Sequence, residues 1–203
     1  MNTNYLEYYT TIFEKRGFNK SVIVIDIQPA YITYCKHIMP KFISFLNEHR
    51  GKIIYFYNGA EVGTNDDDDS MVEFLLDWGL DDEKLEQIEF REKEYAFFRN
   101  WMDMGMERRH LIKAIRYMYI NKYNDSRDVD LEEWENLFGE DWSDVKRYIT
   151  HDSIFFRAFN IAEFKQNSPF YLCGGSKDQC LSEMRFLFEA FNIPYKIIKS
   201  LVY

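Results

Sequence analysis

Two residues in this chain have the chemistry of a covalent catalyst and a local setting that suits it. They are a cysteine just beyond a double glycine and an aspartate at the end of a buried apolar run. The cysteine is Cys180, in the stretch Leu172-Cys-Gly174-Gly175-Ser-Lys-Asp178-Gln-Cys180-Leu181. Phe170 to Cys173 is apolar and rich in β-favouring side chains, and the glycines break it. From Asp178, apolar residues recur at Leu181, Met184, Leu187, Phe188 and Phe191 with helical spacing, until Asn192-Ile-Pro194. Tyr195 to Ile198 reads as another strand, so the unit is strand, turn, helix, parallel strand. Cys180 is then expected in the first turn of a helix at the carboxyl edge of the sheet, where open α/β sheets bind ligands. Free N–H groups and the helix dipole favour an anion there, so a thiol ionises more easily.

The aspartate is Asp26. It follows Ser21-Val-Ile-Val-Ile25, a continuous β-branched run of the kind buried on both faces in the middle of a parallel sheet. A carboxylate in that position costs free energy unless it is paired or partly wet. Two uses compete for it: a cap for the next helix, and a site acid or base.

The remaining elements must deliver these two groups. Leu6, Tyr9, Ile12 and Phe13 predict a short N-terminal helix over 5–16. Residues 31–49 read as helical with a break at Pro40, and Gly51 suits the C-terminal cap position. Lys52 to Tyr57 is a second strand, so strand-helix-strand occurs at both ends of the chain. The acids Asp66 to Asp69 lack the alternating ligands and closing Glu of a calcium loop, and read as a solvated loop capping a helix from Ser70 to Trp78. Asp82 to Ile88 is a short helix or turn, and Glu89 to Arg91 a brief strand. Residues 95–147 read as an inserted helical section. Its basic side chains Arg108, Arg109, Lys113 and Arg116 read as a solvated face paired with nearby acids. Tyr148 to His151 is read as a short strand, and Phe155 to Phe164 as a helix. The expected fold is three-layer α/β/α, Rossmann-like, in a single domain over 1–203. Strands near 21–26, 52–57, 169–173 and 195–198 should be parallel neighbours.

Composition narrows the function classes. The 203 residues carry a net charge of −9, which argues against general nucleic-acid binding because phosphate contacts dominate that affinity. No apolar run approaches a membrane span, and no signal peptide is evident. Three cysteines, Cys35, Cys173 and Cys180, cannot all pair, and a reducing cytoplasm is the simplest setting. There is no GxxxxGK[ST], GxGxxG, HExxH or paired CxxC, so neither a cofactor nor a metal is expected.

Val22-Ile-Val-Ile-Asp26-Ile-Gln28 resembles the opening strand of isochorismatase-like cysteine hydrolases, and Leu172 to Leu181 is similar to their nucleophile turn. The resemblance covers residues 20–60 and 148–203. It implies a Cys-Asp-Lys triad, with Asp26 accepting the thiol proton and Cys180 attacking an amide or related C–N carbon of a small molecule. Backbone N–H groups at the helix start would hold the oxyanion. Gln28, Gly174, Gly175 and Asp178 would line the substrate. The family places its lysine at a strand end before an aromatic-containing helix. The best alignment puts His151 there, and Lys93, before Tyr95-Ala-Phe97-Phe98, is the second candidate. The D-x-H zinc motif of the nicotinamidase branch is missing after the second strand, where Tyr57-Asn-Gly-Ala-Glu61 has no histidine.

Two other classes remain open. One is a catalytically degenerate member of the fold acting as a binding or homo-oligomer-forming protein, with the helical section as its contact surface. The other is a Mg²⁺-dependent PIN- or NYN-like nuclease using Asp26, Glu61, Asp178 and Glu183.

Overall fold

The computed structural model describes residues 20–59, 63–93, 98–155 and 160–203. The helix expected over 5–16, and Glu61, lie outside them. The fold is α/β, with helices flanking a five-stranded, wholly parallel sheet. Its strands are β1 (Val22–Ile25), β2 (Ile53–Tyr57), β3 (Ile88–Glu92), β4 (Phe170–Gly174) and β5 (Tyr195–Ile197), in the order β3-β2-β1-β4-β5. β1 is central, and every residue of β1 and β2 is buried. That is why both read as unbroken apolar runs rather than as alternating strands. The four strands expected as parallel neighbours are so, and the brief run at Glu89 becomes the edge strand β3.

The described residues divide into two compact units. The first falls within Met1–Lys93, Ala162–Leu181 and Ile193–Tyr203 and carries the sheet. One sheet face, with Val22, Val24, Ile53, Tyr55 and Cys173, packs with helix α1 (Ile32–Cys35) through Cys35, α2 (Met39–Glu48) through Phe42 and Leu46, and α3 (Asp68–Asp77) through Met71 and Leu75. On the other face Phe164 stacks on Phe56 at 6.4 Å and meets Phe170 at 5.5 Å. Pro40 falls in the first turn of α2, where a missing N–H costs nothing. Asp67 caps α3 through a capping box with Ser70, and the helix starts at Asp68, two residues before the start read from the sequence.

The second unit falls within Glu94–Ile161 and Ser182–Asn192. It holds α4 (Arg99–Asp103), α5 (Arg108–Asn121), α6 (Leu131–Phe138) and α7 (Trp142–His151), so the expected helical section is helical. Trp134 anchors its core against Trp101 and Phe138, each at 6.0 Å. The basic side chains of α5 are paired as expected, with Arg108 and Arg109 exposed beside acids. Arg108 bonds Glu189 at 2.8 Å, Arg109 meets Asp141 at 3.3 Å, Lys113 lies over Phe138 and Arg116 donates to the Ala190 carbonyl. Two more helices, α8 (Ile161–Asn167) and α9 (Cys180–Ala190), flank β4 in sequence. Among the described residues no helix is long and apolar enough to cross a membrane.

Two expectations are corrected. Tyr148 to His151 is the last part of α7, not a strand. Val145, Tyr148 and Ile149 are its buried residues, a helical spacing that the aromatic and β-branched composition of the last turn obscured. Gly51 does not cap α2, which ends at His49 in extended conformation. Gly51 is instead a close approach, since a Cβ there would lie 2.5 Å from the Lys20 carbonyl oxygen. The Lys84 ammonium, itself buried, donates to the His49 carbonyl at 2.7 Å and serves the carboxyl end of α2.

That arrangement makes stability depend on pH. His49 is 1% exposed, and burial holds its imidazole below the ordinary value, with the Lys84 charge adding to the effect. The folded pKa is depressed, so the unfolded chain takes the proton first, near about pH 6.5. The contribution is complete above that pH and is lost as pH falls through it toward the folded value. The urea midpoint should therefore drop between about pH 7 and about pH 5, and His49→Phe should flatten the slope. Equal slopes in wild type and His49→Phe would show that this histidine is not the group responsible.

Candidate active site at the carboxyl ends of the strands

β1 and β4 are paired with Ile25 opposite Gly174, so the residues that follow them leave the sheet side by side. Asp26 follows β1 with φ 53°, a left-handed conformation that aspartate tolerates better than most side chains. The backbone around it is held on both sides. Its N–H donates to the Phe56 carbonyl at 2.9 Å, and its carbonyl accepts the Tyr203 hydroxyl at 2.7 Å. Unusual backbone held this firmly is characteristic of functional sites.

The Asp26 side chain is fully buried. Its Oδ2 accepts from Lys93 Nζ at 3.1 Å, whereas Oδ1 has no hydrogen-bond partner among the described residues. Lys93 directly follows β3, and its N–H continues the ladder to the Tyr57 carbonyl at 2.7 Å. β2 lies between β3 and β1, so the pair bridges two strand spacings, about 10 Å. The ion-paired side chains are 3% and 0% exposed. A bare carboxylate oxygen in such a place needs an explanation, and a catalytic proton acceptor is one.

Cys180 is the first residue of α9 and is partly exposed. The turn before it needs its glycines. Gly174 and Gly175 have φ of 74° and 64°, and a Cβ on Gly174 would lie 2.3 Å from the Ile25 carbonyl oxygen. Ser176 closes the turn, its carbonyl accepting from Gln179 N at 3.1 Å and Leu181 N at 3.3 Å. Tyr203 straps it from outside, donating from N to Gly175 O and accepting from Lys177 N, both at 3.3 Å. The same residue thus holds the Asp26 backbone and the cysteine turn. Gly174→Ala is expected to lower stability by more than about 2 kcal/mol through backbone strain and overlap with β1. Urea unfolding of that variant, with Gly79→Ala as an exposed comparison at φ 94°, measures the part due to the close approach.

The tyrosine hydroxyls of the site are shifted by burial and by these charges. The Tyr31 hydroxyl is held above its usual pKa by burial first, and the charges of Asp26 and Cys180 raise it further while Lys93 lowers it. Burial likewise raises Tyr203, with Asp26 and Cys180 again contributing. The other thiols differ. Cys35 is buried and pushed up to about 11, and Cys173 is pushed up further by complete burial. Cys180 alone of the three is partly exposed.

Of the remaining sequence candidates, Gln28 is fully buried, and its amide is committed to the backbone of Asn58. Gln28 Oε1 accepts from Asn58 N at 2.8 Å, and Nε2 donates to Asn58 O at 3.0 Å and to Asp66 Oδ2 at 2.6 Å. Asp66 also accepts from Ala30 N at 3.1 Å, and Asp68 from the Tyr57 hydroxyl at 2.7 Å, so the acidic stretch is more than a solvated loop. Asp178 is exposed in the turn before α9. His151 is exposed at the end of α7 in the second unit, so the strand-end position expected for it is not present. Tyr31, Asn58 and Tyr203 escaped the sequence reading. Tyr31 had one usable signal, its position five residues beyond Asp26 at the strand mouth.

Among the described residues no group of three or more His, Cys, Asp or Glu is arranged to hold a metal ion, so the nuclease alternative finds no ligand set there. No family model, curated protein or solved structure matches the chain.

Proposed function

We propose that this chain is an isochorismatase-like hydrolase that opens an amide or related C–N bond of a small molecule through a cysteine nucleophile. The observation that carries the reading is the buried Lys93–Asp26 pair, with Asp26 Oδ1 unpartnered at the mouth of the strand next to the cysteine turn. Asp26 Oδ1 takes the Cys180 thiol proton, and the sulfur adds to the carbonyl carbon. The tetrahedral oxyanion forms at the start of α9, where the helix dipole favours negative charge. As the C–N bond breaks, the leaving nitrogen takes the proton from Asp26. Water then attacks the thioester, giving one proton to Asp26 and releasing the acid, and the thiolate recovers that proton. Lys93 has one task in this scheme: its positive charge offsets the single negative charge that passes between the Asp26 carboxylate, the sulfur and the oxyanion.

The test is the rate of Cys180 alkylation against pH, with the labelled residue located by peptide mass, beside turnover on a panel of small primary amides. Cys180 is expected to react well below the pH at which a free cysteine does, and Cys180→Ser is expected to lose turnover entirely. An ordinary thiol profile with no hydrolysis across the panel would leave the binding-protein alternative in front.

A further inference from the structure

We propose that Tyr31 is a specificity-determining residue of this site, whose hydroxyl donates a hydrogen bond to a neutral acceptor oxygen on the acyl side of the substrate. The inference rests on the cysteine-hydrolase reading above. Its basis is the direction in which the hydroxyl hydrogen is left to point. The Tyr31 oxygen accepts from Asn58 Nδ2 at 3.1 Å, so its own proton faces away from Asn58. Among the described residues that proton has no acceptor. Asn58 is a rigid orienter, because it is 6% exposed and its backbone N–H and carbonyl are both clamped by the Gln28 amide. The phenol end is half-buried and lies within the fields of Asp26, Cys180 and Lys93 together. A donor so placed, with a fixed oxygen and a spare proton, is suited to a ligand atom near the sulfur.

The surroundings select the chemical class. Burial and the nearby negative groups keep Tyr31 protonated, so it donates as a neutral phenol. An anionic acceptor would face the Asp26 carboxylate and the thiolate, while Lys93 is already engaged by Asp26. A carbonyl or ether oxygen meets no such repulsion. The clamp also explains why a glutamine is spent beneath the site, since Gln28 sets Asn58 and Asn58 sets Tyr31.

Alkylation of Cys180 by two reagents tests this without knowing the substrate. Iodoacetamide carries a neutral carbonyl oxygen, and ethyl iodide carries no acceptor. Tyr31→Phe is expected to lower the iodoacetamide to ethyl iodide rate ratio about fivefold, the size of one ordinary hydrogen bond. Asn58→Asp is expected to do the same with the phenol still present, because a carboxylate there captures the tyrosine proton. The pH midpoint for ethyl iodide should stay at the wild-type value in Tyr31→Phe, which shows that the fold and the Asp26–Lys93 pair are intact. An unchanged ratio in Tyr31→Phe, or a fall there with no fall in Asn58→Asp, overturns the proposal. Failure of the hydrolase reading has a different signature, an ordinary thiol profile in wild type whatever the ratio does.

Discussion

Replacing Lys93 with methionine is expected to lower the unfolding free energy by about 3–5 kcal/mol at neutral pH. Methionine keeps the length of the stem and removes the ammonium. Asp26 then holds a carboxylate in a fully buried position, with Oδ1 already unpartnered and Oδ2 newly so. An uncompensated buried charge relieves itself by taking a proton, so the loss should be larger at high pH than at low pH. The double variant Lys93→Met/Asp26→Asn should be more stable than Lys93→Met alone, because it removes the charge that was orphaned. Urea unfolding of wild type, both single variants and the double variant gives the coupling directly. Additive losses would mean that the 3.1 Å pair contributes no interaction free energy, and its role in the site would have to be abandoned.

Much of the architecture was legible because burial on both faces leaves a strong trace. Val22–Ile25 and Ile53–Tyr57 are unbroken apolar runs, and in an ordinary α/β chain such runs are central parallel strands. The edges were harder. In β3, Ile88–Glu92, apolar and charged residues mix and each residue is only half-buried, so it showed as a few residues of uncertain type. The last turn of α7 went wrong for the opposite reason. Tyr148-Ile149-Thr150 is a β-favouring triplet, but the packing of Val145, Tyr148 and Ile149 on one helix face decided its conformation.

The site followed the same rule. Asp26 and Cys180 could be found because each follows a recognisable strand, and the double glycine marks a turn that no other residue fits. Lys93 was visible only as one of two candidates. Its claim depended on β3 being a strand in register with β2, and on its side chain crossing the end of β2 to reach β1. Strand order is a tertiary fact, and no local spacing encodes it. His151 was preferred in the sequence because an aromatic run follows it, yet that run comes after a helix end. Tyr31, Asn58 and Tyr203 were unreadable for a related reason. Each acts through a side-chain hydrogen bond that joins residues at least 27 positions apart.

Asp26→Asn is expected to separate thiol reactivity from turnover by moving them in opposite directions. Asparagine keeps the shape of the side chain and a hydrogen-bond acceptor for Lys93, but it carries no charge and cannot accept the thiol proton. Loss of a general base costs roughly 10²–10⁴-fold in rate, so hydrolysis of whichever amide the wild type accepts should fall by that range. The carboxylate also disfavours a neighbouring thiolate, and its removal leaves the Lys93 cation acting alone. The pH midpoint of Cys180 alkylation should therefore move down, and the rate at neutral pH should hold or rise. The group that would produce both changes is the fully buried Asp26 carboxylate at the end of β1. A simple loss of folding cannot mimic this pair of changes, because an unfolded chain would alkylate with the midpoint of a free thiol and would also expose Cys35 and Cys173, which are buried in the native protein. If turnover falls while the alkylation midpoint stays fixed, Asp26 does not act on the sulfur, and the sequence of proton transfers proposed for this site is wrong.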